Sequence, residues 1–267
     1  MKSLKTSETL TRNNGLPLSG KTFISTGSLE KTDKFHLLLE HKGARVIDMP
    51  LISIEKATAT KEVKFMQKNI SDFDWVFFTS GYSIQFFFEF MSISGLSENK
   101  RLKYAVIGKA SRDILRSYNI EADYVCDASG AISMARGFLQ NIHEKRLNIL
   151  IPSGDRSDGA AGKILCSEHN IYPVRVYRTL LEMNPEKRGM QAISSGNYDM
   201  IFFMSPSAFQ NFLNVCHPEI NAAHYHIGCL GPTTARAVSL SGFKPDFVGP
   251  GKGIDELVCQ LEEFYLI

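Results

Sequence analysis

Short apolar runs alternate with amphipathic stretches along almost the whole chain. Runs such as WVFF at 75–78 and MIFF at 200–203 contain only apolar residues. The stretches between them are about 10–15 residues long and carry apolar residues three or four positions apart, the spacing of a helix with one buried face. Strands that alternate with helices in this way are typical of βαβ units with parallel strands. The pattern therefore predicts an α/β fold with parallel sheets.

The same pattern occurs twice in the chain. FFTSGYSIQFF (77–87) and FFMSPSAFQNF (202–212) share a serine after the apolar run, and a glutamine and a phenylalanine at matching offsets. Each copy continues into a strand that ends in glycine, YAVIG at 104–108 and IGCLG at 227–231. An upstream strand, turn, helix and strand also recur, at 22–50 and 148–177. This period is much longer than the ~20–50 residues of solenoid or propeller repeats. We therefore predict two similar domains of flavodoxin-like size.

Composition narrows the class of protein. With 267 residues, 43% of them hydrophobic, the chain can form one large domain or two small ones. A net charge of +2 argues against a general nucleic-acid binder. The five cysteines are scattered and form no CxxC pair, so we expect reduced core thiols of a cytoplasmic protein.

No targeting or membrane segment is expected. The first twenty residues are polar and lack the apolar stretch of a signal peptide, so we expect a flexible extension. No run approaches the ~18–20 apolar residues that a membrane helix needs.

The junctions that follow the predicted strands carry small hydroxyl residues or glycine. These junctions are Ser25-Thr26-Gly27, Thr79-Ser80-Gly81, Gly108 to Ser111, Ser129-Gly130, Ser153-Gly154, Ser205-Pro206-Ser207, Gly231-Pro232-Thr233-Thr234 and Gly249 to Gly253. Parallel α/β sheets bind ligands at this edge, where helix N-termini attract anions. Two facing sets of such turns would suit a ligand with several carboxylates or phosphates. For any single junction, helix capping alone is the favoured explanation.

Other candidate chemistry is poorly supported. GPGKG at 249–253 lacks the full spacing and the ending of a phosphate-binding P-loop. No GxSxG nucleophile motif is present. His224 and His226 would share a strand face, but no nearby cluster of Cys, His or Asp completes a metal site.

Several motifs together resemble the uroporphyrinogen-III synthase family, over residues 21–266. They are FxxS at 77–80 and 202–205, PSGDR at 152–156, VYRT at 176–179 and, most specific, GPTTARA at 231–237. The chain departs from the family pattern in three of its turns. Ser25-Thr26-Gly27 stands where many relatives have a TRP-like turn, Gly81 where proline is common, and Ser153 where arginine is more frequent.

The resemblance implies a particular division of the chain. The N-terminal segment would complete the domain formed by the C-terminal part, giving one domain from residues 1–50 and 180–267 and a second from 58–172. Segments 51–57 and 173–179 would be linker strands that cross between the domains and act as a hinge. The active site would lie in the cleft between the domains.

The resemblance also implies a reaction. Hydroxymethylbilane, a linear tetrapyrrole rich in carboxylates, would lose water and close with inversion of its last ring, giving uroporphyrinogen III for haem biosynthesis. Tyr177 would donate a hydrogen bond to the departing hydroxyl; the alternative is a packing role in the linker strand. The implied substrate-binding hydroxyls are those of Thr79, Ser80, Ser111, Ser205, Ser207, Thr233 and Thr234. A monomer without a metal, organic cofactor or nucleic-acid partner is implied.

Two further hypotheses stay open. One is a cytosolic two-lobed α/β protein that closes on a small polycarboxylate or another anion without chemistry. The other is a degenerate homologue that has lost the synthase activity, which the departures in the first half would fit.

Overall fold

A computed structural model describes residues 15–91, 102–127, 130–216 and 225–266. The strands are β1 (Thr22–Ser25), β2 (Arg45–Asp48), β3 (Ile52–Lys56), β4 (Trp75–Phe78), β5 (Lys103–Ile107), β6 (Tyr124–Cys126), β7 (Asn148–Gly154), β8 (Asn170–Leu181), β9 (Met200–Phe203), β10 (Ile227–Cys229) and β11 (Phe247–Val248). The helices are α1 (Leu29–His41), α2 (Lys61–Lys68), α3 (Gly81–Phe90), α4 (Gly108–Ser117), α5 (Ala131–Asn141), α6 (Ala160–Leu165), α7 (Lys187–Ser195), α8 (Pro206–Val215), α9 (Pro232–Leu240) and α10 (Ile254–Leu266).

The strands form two sheets with matching connectivity. One sheet has the order β11-β10-β9-β1-β2, and the other has the order β6-β5-β4-β7-β8-β3. All neighbours are parallel except β3 and β8. The pair β1 and β2 therefore takes the place in one sheet that β7 and β8 take in the other. We call the sheets with their helices the five-stranded lobe and the six-stranded lobe. The predicted fold class, α/β with two similar parallel-sheet domains, is confirmed.

An antiparallel ladder lies where the chain passes between the lobes. Strand β3 pairs with the end of β8, with Ile52 opposite Leu181 and Lys56 opposite Tyr177. The predicted linker segments, 51–57 and 173–179, overlap this ladder. The domain boundaries themselves stay a prediction.

An aspartate at the start of a strand braces the neighbouring strand in both lobes. The carboxylate of Asp74 accepts the backbone N–H of Asn148 at 2.8 Å, and that of Asp199 accepts the N–H of Thr22 at 2.8 Å. One strand further along, Asp123 and Asp246 make the same contact with the first or second residue of β5 and β10, again at 2.8 Å. These aspartates therefore satisfy backbone donors at the amino edge of each sheet, which leaves the carboxyl edge for the candidate site.

Buried side chains fill both faces of each sheet. The aromatic run 86–88 of α3 is buried in the core of the six-stranded lobe. All five cysteines are free. The expectation that all five are core thiols was wrong for two of them. Cys166 directly follows α6 and Cys259 lies on the outer face of α10, so both are exposed.

Membrane-spanning helices and clusters of metal ligands are both absent from the described part of the chain. Within it, no helix has both the length and the apolar content that crossing a membrane requires. No three His, Cys, Asp or Glu side chains group there as metal ligands would. His224, Ser129 and residues 1–14 of the expected extension lie outside the described residues.

Candidate active site

Tyr177 lies near the end of β8, where the ladder with β7 is irregular. A register shift at Ser153 and Gly154 places Gly154 opposite Tyr177. The phenol ring covers Gly154 so closely that a Cβ there would lie 2.3 Å from the ring atom Cε2. Glycine is therefore required at position 154 for the ring to take this position.

The Tyr177 hydroxyl is hydrogen-bonded to the Ser80 hydroxyl, with the two oxygens 3.3 Å apart. Burial raises the pKa of the Tyr177 phenol, and the nearby Asp155 carboxylate adds to this, although the hydrogen bond to Ser80 acts in the opposite direction. Asp155 is held in place by accepting the backbone N–H of Thr179 at 3.0 Å. Tyr177 is therefore a neutral phenol at physiological pH, able to donate a hydrogen bond but a poor source of phenolate.

Two aromatic side chains of α3 form a wall beside Tyr177. The ring centroids of Tyr82 and Phe86 lie 5.9 Å and 5.8 Å from that of Tyr177. Tyr82 and Phe86 also contact each other, at 6.4 Å. Phe86 therefore has a second role beyond core packing, because it orients the candidate catalytic ring.

Tyr82 also connects the lobes. Its hydroxyl is hydrogen-bonded to that of Ser28, which lies between β1 and α1 in the five-stranded lobe. Ser28 is 6% exposed, so the contact is largely shielded from solvent. Sequence reasoning missed both residues, because a serine before a helix is read as a cap and a tyrosine in the first turn of a helix carries no particular signal.

Ser80 and Ser205 are equivalent positions in the two copies. Each begins a helix in almost the same extended conformation, with φ and ψ of −158° and 157° at Ser80 and −160° and 158° at Ser205. Ser80 caps α3 by accepting the N–H of Ser83 at 3.1 Å, and Ser205 caps α8 by accepting the N–H of Ala208 at 3.2 Å. Capping is thus present at both, but Ser80 alone combines it with a bond to Tyr177.

The other predicted hydroxyls are spread over both lobes. Ser207 is half-buried in the first turn of α8, and in the first turn of α9 Thr233 is exposed while Thr234 is buried. Ser111 is buried on α4. Thr79 lines a cavity of about 360 Å³ together with residues of β7, α5 and α6, and Tyr177 is not among the residues that line it. Of the seven hydroxyls, the structure places Ser80 in direct contact with Tyr177.

Helix α4 adds positive charge beside Ser111. Lys109 is exposed in its first turn. Among the described residues, the buried Nε of Arg112 has no hydrogen-bond partner, and the nearest carboxylate oxygen, on Asp113, is 4.0 Å away. A sequence signal could have identified both residues, because they are basic and closely follow Gly108, the residue after β5. Both could hold a carboxylate of a ligand.

Comparisons with known proteins agree on one family. The model of the family described as uroporphyrinogen-III synthase HemD matches residues 33–259. The porphyrin biosynthesis protein HemD of Ruminiclostridium josui is 21% identical over 249 residues, which are 92% of this chain; the chain spans about half (49%) of that relative. The uroporphyrinogen-III synthase of Synechococcus elongatus is 26% identical over 228 residues, covering 82% of this chain and 86% of that protein.

Solved structures show the same fold. A mutant uroporphyrinogen III synthase from Thermus thermophilus superposes with a TM-score of 0.62 at 16% identity, over 92% of this chain and 99% of that one. The uroporphyrinogen-III synthetase of Helicobacter pylori superposes with a TM-score of 0.60 at 11% identity, over 91% and 99% of the two chains.

Proposed function

Because the chain belongs to the uroporphyrinogen-III synthase family, we propose that it cyclises hydroxymethylbilane to uroporphyrinogen III. The reaction breaks the bond between the terminal methylene carbon and its hydroxyl, which leaves as water, so the enzyme is a dehydrating lyase. Closure joins the terminal methylene carbon to the substituted α-carbon of the last pyrrole, and the bond from that carbon to its neighbouring bridging methylene breaks. The bridging methylene then bonds to the free α-carbon of the same pyrrole, which inverts the ring, and the proton lost from that carbon balances the proton that leaves in the water. The observation that carries the proposal is the half-buried, neutral phenol of Tyr177 bonded to Ser80 beside the contact between the lobes.

The phenol of Tyr177 would donate a hydrogen bond to the departing hydroxyl. Its raised pKa favours this role over complete proton transfer, because the phenolate would be costly in a partly buried position. Ser80 would hold the phenolic oxygen in place, while Gly154 and Phe86 fix the plane of the ring. A site whose main task is to restrain a flexible chain gains most from such fixed groups.

The substrate carboxylates would bind at the carboxyl edges of both sheets. We propose that Ser205, Ser207, Thr233 and Thr234 hold the part of the substrate that faces the five-stranded lobe, and that Thr79, Ser80 and Ser111 hold the part that faces the six-stranded lobe. Helix N-termini favour carboxylates at each of these positions. Restraint from both sides would prevent closure at the wrong carbon, which gives the uninverted isomer.

The proposal includes a monomer that works in the cytoplasm. All five cysteines are free, as is usual in a reducing compartment. Light scattering on the purified protein should give the mass of one chain, and a mass twice as large would overturn the monomer.

The product isomer tests the function. Freshly generated hydroxymethylbilane is supplied and the isomers are resolved by chromatography, with the inverted isomer expected as the main product. Formation of the uninverted isomer alone, at the spontaneous rate, would overturn the proposal. Tight binding of the substrate without turnover would then favour a binding protein.

Tyr177→Phe tests the role of the phenol. The variant keeps the ring and loses only the hydroxyl. A hydrogen bond to a developing charge is worth ~1.5–3 kcal/mol, so the rate of inverted product should fall about 10- to 150-fold. Tyr118→Phe is the matched control, because Tyr118 stacks on Phe88 at 4.3 Å in the same lobe and makes no ring contact with Tyr177. Equal rates for the wild type and Tyr177→Phe would remove the phenol from the chemistry.

A further inference from the structure

The contact between Ser28 and Tyr82 joins the lobes through two hydroxyls. Ser28 is the residue that precedes α1, yet its side chain makes no capping hydrogen bond to that helix. Its hydroxyl is bonded instead to Tyr82, a residue 54 positions further along the chain in the other lobe. A buried serine hydroxyl that leaves its own helix uncapped therefore contributes to holding the lobes together.

Tyr82 contacts the candidate catalytic ring with the same side chain. Its ring lies 5.9 Å from Tyr177 and 6.4 Å from Phe86, between centroids. Gly81, the residue before Tyr82, lies close to Ile114 of α4. A Cβ on Gly81 would be only 2.7 Å from the Cδ1 of Ile114. The glycine thus allows the helix approach that places Tyr82 at this point.

The duplicated sequence shows that Tyr82 is specific to one lobe. The equivalent position in the second copy is Ser207, two residues after the capping Ser205. A serine there cannot reach across to another lobe or cover an aromatic ring. The two equivalent turns therefore differ at the residue that makes the contact between lobes.

Positive charges from both lobes act on Asp255, at the start of α10. Lys34 is hydrogen-bonded to Asp255 in the first turn of α10 and holds the pKa of that carboxyl below its usual range. Lys109, on α4 of the six-stranded lobe, contributes to the same lowering by its charge. The charge of Lys109 therefore favours the approach of the lobes, while the contact between them is made at Tyr82.

We propose that Tyr82 and Ser28 form an interlobe latch, and that Tyr82 is a positioning residue that orients Tyr177 when the lobes close. The closed lobes bring Ser28 to the Tyr82 hydroxyl, which fixes the Tyr82 ring and with it one side of the Tyr177 ring. When the hydrogen bond between Ser28 and Tyr82 breaks, the Tyr82 ring is free to move away from Tyr177. The effect on the isomers rests on the proposed function, whereas the latch itself can be measured without any substrate.

The latch is tested by the distance between the lobes. Spin labels attached at neutral pH should react with the exposed Cys166 and Cys259, one in each lobe, because burial raises the pKa of Cys216 to about 11 and that of Cys229 to about 12. Pulsed electron resonance then gives the distribution of distances in the free protein.

Tyr82→Phe and Ser28→Ala each remove one hydroxyl and should lengthen and broaden the distances. The double variant should equal either single variant, because the two hydroxyls share one bond. Tyr118→Phe is the matched control and should leave the distribution unchanged. An unchanged distribution in Tyr82→Phe would overturn the latch.

The positioning role is tested by the product. Tyr82→Phe should lower kcat for the inverted isomer about 3- to 10-fold, as the loss of one neutral hydrogen bond allows. The fraction of uninverted product should rise, with KM changed less than kcat. Simple loss of folded protein would lower the amount of product without altering kcat per folded molecule. Longer distances with an unchanged isomer ratio would overturn the positioning role. If the wild type itself makes no inverted isomer, the proposed function fails while the distance measurement still decides the latch.

Discussion

Asn211 holds both segments that pass between the lobes. This side chain of α8 is fully buried, and its Nδ2 donates to the carbonyl of Leu51 at 2.8 Å and to that of Glu182 at 2.6 Å. The backbone N–H of Glu182 also donates to the carbonyl of Leu51, at 3.0 Å. The Oδ1 of Asn211 is buried, and no described residue donates a hydrogen bond to it. One amide therefore ties the helix behind Ser205 to Leu51, where the first linker segment begins, and to Glu182, which directly follows β8.

Two substitutions at this position should differ sharply in their cost. Asn211→Leu removes both donated bonds, but Leu51 keeps its bond from Glu182 and the unpartnered oxygen disappears. We therefore expect only ~1–2 kcal/mol of lost stability, the lower part of the range for an unsatisfied buried acceptor. Asn211→Asp keeps the shape and turns the donor into an acceptor that faces two carbonyls. An unpaired buried carboxylate should cost ~3–5 kcal/mol.

The two variants should also differ in how their stability depends on pH. The new carboxyl group would have a folded-state pKa above its unfolded value of about 3.9, because both carbonyls and burial disfavour the charge. Asn211→Asp should therefore approach the stability of the wild type at low pH and lose stability as the pH rises through the folded-state pKa. Asn211→Leu should show no such added dependence.

Urea unfolding measures both effects. Circular dichroism follows both lobes, and the fluorescence of Trp75, the single tryptophan, follows the six-stranded lobe. Asn141→Asp is the matched control, because Asn141 makes a similar bond to the carbonyl of Gly137 at 2.7 Å on an exposed surface. It should change stability by less than about 0.5 kcal/mol. Equal stability of Asn211→Asp and Asn211→Leu at neutral pH would refute the reasoning.

Three further predictions follow from single contacts. Gly154→Ala should suppress the inverted isomer while circular dichroism stays normal, because a Cβ would lie 2.3 Å from the ring of Tyr177; a normal isomer ratio would contradict this. Burial lowers the pKa of His169, whose ring nitrogens have no hydrogen-bond partner in the described part of the chain. The wild type should therefore lose stability below about pH 6.5, where the unfolded chain binds the proton more readily. His169→Phe should remove this loss, and parallel pH profiles of the unfolding midpoint would be the contrary result. Asp246→Ala should lower the free energy of unfolding by ~0.5–1.5 kcal/mol. It should also speed hydrogen exchange of the Ile227 amide, which donates to the Asp246 carboxylate at 2.8 Å, and unchanged exchange would contradict this role of Asp246.

Much of the fold could be predicted because its signals are local. Apolar runs that alternate with helical spacing fix where strands and helices form, and the duplicated stretches at 77–87 and 202–212 fix that the plan occurs twice. Ser80 and Ser205 show the same dependence on local sequence, since a serine three residues before a free N–H adopts the capping conformation in both copies.

The candidate site could be predicted only in part. Tyr177 and Ser80 were selected from motifs, and the structure brings their hydroxyls to 3.3 Å. Tyr82 and Ser28 could not be selected, because their contact depends on how the two sheets face each other. Nothing in the residues near Ser28 distinguishes a capping serine from one that bonds to another lobe.

The sequence by itself determined the α/β class, the duplication and the chemistry available at the strand ends, because these depend on hydrophobic periodicity and on residue type. The tertiary structure alone decided which of those groups meet. The register shift at Gly154 sets the ring of Tyr177, the amide of Asn211 joins the two crossing segments, and Tyr82 spans the lobes. Each is a contact between residues distant in the chain, and its geometry follows from the packing of whole sheets and helices rather than from any local pattern.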